Sequence, residues 1–78
     1  MPRSTALWFV DNTTLTFQQI ADFCNLHILE IQAIADGDVS TGIFYFNPIE
    51  QEQVSKEDIR NCELDHSKRL TLLKVNNS

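Results

Sequence analysis

The sequence has few glycines: Gly37 and Gly42 are the only two among its 78 residues. The phosphate-binding loops of nucleotide enzymes need closely spaced glycines, so the sequence contains no loop of that kind. No nucleophile stands in a recognisable arrangement with a base and an orienting group. The carboxylates are scattered along predicted helix surfaces, where solvation accounts for them. The sequence therefore predicts a binding protein and no enzyme, with no cofactor except the zinc ion considered below.

Long apolar segments are also missing. The longest unbroken apolar run, Ala6–Val10, is far shorter than the roughly 20 residues that span a bilayer. The first residues, Met1-Pro2-Arg3, have no apolar stretch of the kind found in signal peptides. We therefore expect a cytoplasmic protein with no membrane partner, in which the two cysteines, Cys24 and Cys62, stay reduced.

Positive charge is absent from most of the chain. No lysine or arginine lies between Ser4 and Gln53, and that window holds seven of the eleven acidic residues. Apart from Arg3, every cation is in the C-terminal third, and the net charge is −5. Because nonspecific DNA affinity depends mainly on cations, the N-terminal part is expected to bind DNA weakly by itself.

Capping signals predict a mainly helical single domain over residues 1–78. Ser4 and Ser55 are predicted N-caps, Thr16 and Gln19 form a capping box, and Asp58 completes another with Ser55. Asn25 and Gly37 suit the left-handed residues that end helices. The predicted helices are Thr5–Asp11, Thr16–Cys24, His27 or Ile28 to Asp36, and Lys56 to about Glu63.

The pattern over Phe17–Asp36 indicates a helix-turn-helix, within a core of about residues 4–37. Ala21 is small where two crossing helices would touch, and Asn25 accepts the positive φ of a tight turn. The apolar positions that would face each other are Ile20, Cys24, Leu26, Ile31 and Ile34. Trp8 and Ile34 are predicted core residues. An ordinary pair of amphipathic helices is the simpler alternative.

A C-terminal extension covers about residues 38–75. It contains an aromatic run, Ile43–Phe46, and a β-prone run, Arg69–Val75, which together suggest a small β-hairpin. Phe9 and Phe23 lie off the predicted inward faces of their helices. These two side chains are therefore the candidates for a homodimer interface.

The outer face of the third helix is the predicted surface for binding a macromolecule. Gln32 and His27 could hydrogen-bond to a base edge, and Ile28 and Leu29 could meet a thymine methyl group. Exposed Ile28 and Leu29 fit a protein-docking patch better, unless the Phe-rich segment that follows covers Leu29. The predicted contact residues are His27, Ile28, Leu29, Gln32, Ala33 and Asp36.

Two cysteines and two histidines form a candidate zinc site. Cys24 and His27 are separated by two residues, and Cys62 and His66 by three, spacings that suit a shared tetrahedral metal. A small domain gains stability from such a metal. The alternative is that Cys24 is an ordinary core residue and that both histidines are solvated.

Nearly the whole chain resembles the N-terminal region of the alphaproteobacterial TrcR family, described as cell-cycle transcriptional regulators. The likeness lies in Thr5–Thr13, Leu15–His27, Ala33–Gly37, Gly42, Asn47–Ile49 and the Arg60–Arg69 segment. Asn25 and Ile28 stand where Gly and Pro are expected. Family members are longer, and their C-terminal half resembles a second, more basic helix-turn-helix, which this sequence lacks.

The resemblance implies transcription regulation. The missing basic half leads us to expect either a fragment or a reduced homologue that acts through a partner such as RNA polymerase. Two hypotheses follow: the domain reads DNA as an oligomer or with a partner, or it is an acidic protein-interaction module without DNA binding. A small zinc-stabilised structural domain is the third alternative.

Overall fold

The computed structural model describes residues 2–37, 47–51 and 53–73. Within these ranges the chain forms no strand and four helices, so the prediction of a mainly helical fold is confirmed. None of the helices described is long and apolar enough to cross a membrane. The helices are α1 (Pro2–Asn12), α2 (Phe17–Cys24), α3 (Ile28–Ala35) and α4 (Lys56–Leu64).

The helix ends of α2 and α3 follow local sequence signals. Thr16 caps α2: the Gln19 backbone N–H donates to the Thr16 hydroxyl, and the Gln19 side chain accepts from the Thr16 backbone, as predicted. Asn25 ends α2 with a φ of 56°, in the left-handed region. Gly37 follows α3 with a φ of 78°. Only three residues, from Asn25 to His27, connect the two helices.

The first helix begins earlier than predicted. Ser4 is no N-cap; it lies inside α1 and is buried. Proline at the first position of a helix is favourable because its missing N–H would have no intrahelical partner there. Pro2 therefore allows the helix to extend over the residues that the capping rule had left outside.

The fourth helix has the predicted cap but only half of the predicted capping box. The Asp58 backbone N–H donates to the Ser55 hydroxyl at 3.0 Å. The Asp58 carboxylate accepts instead from the backbone N–H of Thr71, at 2.9 Å. A long-range contact has replaced the local one, and it ties the segment after α4 back to the start of that helix.

The predicted C-terminal hairpin is not supported. Residues 69–73 form no strand, and the Ile43–Phe46 run lies outside the described residues. The backbone N–H groups that a hairpin would use have other partners: Thr71 donates to Asp58, and Leu73 donates to the Gln53 carbonyl at 2.7 Å.

The core is formed where α1, α2 and α3 pack against one another in all three pairs, and residues of α4 and of the segments on either side of it complete it. Trp8 and Ile34 are buried, as predicted. Phe9 is wrongly predicted as an interface residue: it is fully buried, and its ring meets the half-buried Phe23 edge to face at 5.7 Å. The buried core residues are Ala6, Trp8, Phe9, Leu15, Ile20, Ala21, Cys24, Ile31, Ile34, Val54, Ile59, Cys62 and Leu70.

Candidate docking surface on the third helix

The outer face of α3 presents two large apolar side chains to solvent. Ile28 is 38% exposed and Leu29 is 64% exposed. Ile31 and Ile34, on the inner face, are buried and fix which side of the helix points outward. The α3 face consists of the six predicted residues, all exposed except the half-buried Ala33: His27, Ile28, Leu29, Gln32, Ala33 and Asp36.

His27 is the N-cap of α3. Its Nδ1 accepts a hydrogen bond from the backbone N–H of Leu29 at 3.0 Å. Glu30 completes a capping box, because its Oε2 accepts from the backbone N–H of His27 at 2.9 Å. Histidine is not among the residues usually expected at an N-cap, so sequence reasoning assigned His27 to the surface without finding this structural task.

Glu30 also connects α3 to the first helix. Its Oε1 accepts from the Arg3 guanidinium at 3.0 Å, while Oε2 holds the His27 backbone. The carboxylate is therefore shared between a cation of α1 and the start of α3. This contact connects the first turn of α3, which carries Ile28 and Leu29, to α1.

Two arginines form ion pairs with acidic residues of α2 and α3. Arg69 Nε lies 2.6 Å from a carboxylate oxygen of Asp22 on α2, and Arg3 is paired with Glu30. Asp36 follows α3 as an exposed acid. Neither α2 nor α3 contains a lysine or arginine, so the α3 face is apolar to anionic.

The four candidate zinc ligands are not brought together. Across residues 2–37, 47–51 and 53–73, no three His, Cys, Asp or Glu side chains form a group that could hold a metal ion. Cys24 and Cys62 are buried and free, whereas His27 and His66 are exposed. Burial raises the pKa of the Cys24 thiol to about 11, and burial beside Asp58 raises the pKa of Cys62.

Gln19 has a long-range role that the sequence did not reveal. Its side chain is fully buried, and its amide nitrogen donates to backbone carbonyls of Cys62 at 2.8 Å, Lys68 at 3.0 Å and Asp65 at 3.3 Å. The residue recognised as half of a capping box therefore also joins α2 to the end of α4 and the segment after it.

A cleft of about 420 Å³ lies between α1, the end of α2 and the segment after α4. Phe23, Cys24, Leu70 and Leu72 supply its apolar lining, and Thr5, Asp22 and Gln53 its polar lining. Cys24 is a poor nucleophile there, because burial disfavours its thiolate.

Comparison with known proteins gives one finding. Residues 29–78 match the model of a family described as transcriptional cell cycle regulator TrcR. The matched segment begins at Leu29, so it includes most of the α3 face and all of α4. No curated protein and no solved structure matches the chain. Since the family match covers more than half of the sequence, the chain belongs to the TrcR family of transcriptional cell cycle regulators.

Proposed function

We propose that this chain regulates transcription as a binding protein without catalytic activity, by docking its α3 face on a protein of the transcription machinery. RNA polymerase is the partner that we propose. The observation that carries the proposal is the exposed pair Ile28 and Leu29 on a helix face without any cation. Apolar side chains at the centre of a contact, surrounded by polar groups, are the usual source of affinity between proteins.

The charges around the apolar pair determine which partner surface would be complementary to the α3 face. Glu30 and Asp36 both follow the apolar pair along the chain; Glu30 is paired with Arg3 of α1, and Asp36 is exposed at the end of α3. An apolar pocket with basic residues at its rim would complement this surface, whereas an acidic rim would repel it. Nucleic acid is a poor complement, because phosphates would meet these carboxylates.

DNA reading is the second candidate, and one geometric feature favours it. We propose that α2 and α3, connected by three residues with Asn25 in the left-handed region, form a helix-turn-helix. In such motifs the second helix enters the major groove. Gln32 and His27 would then be the groups that meet base edges. Because neither helix of the motif contains a lysine or arginine, binding to DNA would require an oligomer or a DNA-binding partner.

Capture of purified alphaproteobacterial RNA polymerase by the immobilised chain tests the favoured function. Replacing Ile28 and Leu29 together by serine should lower capture by about a hundredfold or more, since each buried apolar side chain contributes about 1.5–3 kcal/mol and about 1.4 kcal/mol is a factor of ten. Leu64→Ser is the matched control, because Leu64 is 79% exposed on α4. Unchanged capture by the double variant would exclude the α3 face as the interface.

A gel shift across a salt series separates the two candidates. DNA binding that weakens steeply as salt increases would support the second candidate, because counterion release makes DNA affinity depend on salt. No shift at low salt, together with nuclease-resistant polymerase capture, would support the first. Light scattering of the free chain shows which oligomer enters each assay.

A further inference from the structure

We infer that the α3 face gives its partner one hydrogen-bond donor whose position the fold determines, the Nε2–H of His27 beside Ile28 and Leu29. The inference rests on the proposed docking function and deepens it, because it names a group that the partner must complement. It follows from the capping geometry at the start of α3.

The hydrogen bond at Nδ1 determines which nitrogen carries the hydrogen. Leu29 N–H donates to His27 Nδ1 at 3.0 Å, so Nδ1 must hold a free lone pair. A neutral imidazole has one donor and one acceptor nitrogen. With Nδ1 as the acceptor, the hydrogen of the neutral ring is on Nε2.

Glu30 holds the backbone that carries the imidazole, and the hydrogen bond from Leu29 N–H holds the ring itself. Glu30 accepts from the His27 backbone N–H, and the same carboxylate is held by Arg3 on α1. The ring itself is exposed, and within the described ranges no group hydrogen-bonds to Nε2. An oriented donor is therefore available next to the exposed apolar pair.

The surrounding charges select the acceptor. Arg3, the cation beside the start of α3, is already paired with Glu30, so a partner carboxylate brought into an apolar contact there would lose its hydration without gaining a counter-ion. A backbone carbonyl oxygen accepts the same hydrogen bond without carrying a charge. The inferred complement is therefore a partner carbonyl at the edge of the pocket that takes up Ile28 and Leu29.

The tautomer is tested first, on the free chain. Long-range nitrogen–proton NMR, recorded on the neutral form of the ring, should show a single Nε2–H form for His27. His66, which is exposed and caps no helix, serves as the internal reference and should show a mixture of tautomers. A hydrogen on Nδ1 of His27 would overturn the inference whether or not docking occurs.

The donor is tested by polymerase capture. His27→Ser retains an N-cap oxygen but has no group at the position of Nε2, so capture should weaken by about three- to tenfold, as for one lost hydrogen bond. His66→Ser should have no effect. Wild-type capture by His27→Ser would overturn the donor role. If the wild-type chain captures no polymerase, the docking proposal and the donor role fail together, while the tautomer result stands separately.

Discussion

Replacing Gln19 by alanine removes a buried amide that joins two parts of the chain. The amide nitrogen donates to the carbonyls of Cys62, Lys68 and Asp65, and Oε1 accepts from the Thr16 backbone at 2.9 Å. Alanine keeps the helix propensity of α2 but has no group to replace these contacts. The variant therefore tests the hydrogen bonds rather than the helix.

The expected destabilisation is about 2–4 kcal/mol. Cys62 is fully buried, and leaving its carbonyl without a donor costs about 1–3 kcal/mol. Lys68 and Asp65 are exposed, so water can satisfy their carbonyls and their loss adds little. Losing the contact to Thr16 adds about 1 kcal/mol. The sum is a large part of the 5–15 kcal/mol that typically stabilises a domain.

Thermal and urea unfolding, followed by circular dichroism and by the fluorescence of Trp8, measure the effect. For a domain of this size, about 2–4 kcal/mol corresponds to a Tm lower by roughly 10–25 °C. Gln18→Ala is the matched control, since Gln18 is exposed and its side-chain amide donates to Asp22 within the same helix. Its effect should stay within about 0.5 kcal/mol.

Gln19→Glu tests the hydrogen bonds of the amide separately from the space that the side chain fills. A carboxylate in this position cannot donate to the three carbonyls, so the folded-state pKa of the new acid should lie above its unfolded value of about 4.3. The variant should therefore be least stable at neutral pH and should regain stability as the pH falls toward that value. A loss below about 1 kcal/mol for Gln19→Ala, or a pH-independent Gln19→Glu, would refute the reasoning.

Three further predictions concern the turn, the thiols and metal. Asn25→Val should cost about 1–2 kcal/mol because Asn25 has a φ of 56°, whereas Asn25→Gly should be nearly neutral in urea unfolding. A thiol reagent should label Cys24 and Cys62 slowly at neutral pH and quickly in denaturant, because burial raises both pKa values; fast native labelling would contradict this. A chelator should leave the unfolding midpoint unchanged, and a lowered midpoint would indicate a bound metal.

Local signals predicted the helix ends well where neighbouring residues determine them. Thr16 with Gln19, and Asn25, were assigned from their neighbours because these contacts span only a few residues. The burial of Ile31 and Ile34 followed from helical periodicity. The α3 face was predictable for the same reason, since the buried side of a helix determines the exposed side.

Contacts between distant residues were not predictable in this way. Asp58 reaches Thr71, and Gln19 reaches Cys62, across separations that a single sequence does not encode. Phe9 was assigned to an interface because helical periodicity did not show that Phe23 would pack against it. The candidate zinc set was suggested by spacing alone, and spacing does not say that two of its members are buried and two exposed.

The ion pair of Arg3 with Glu30 has a practical consequence for anyone attaching a reporter to this protein. A fluorophore or affinity tag joined just before Arg3 would sit beside the carboxylate that holds the first turn of α3. Under the proposed function, such a label would respond to a partner bound on the α3 face, and a bulky label would compete with that partner. A fusion before Arg3 is thus suited to testing the proposed partner binding. A tag that should leave the α3 face undisturbed belongs elsewhere on the chain.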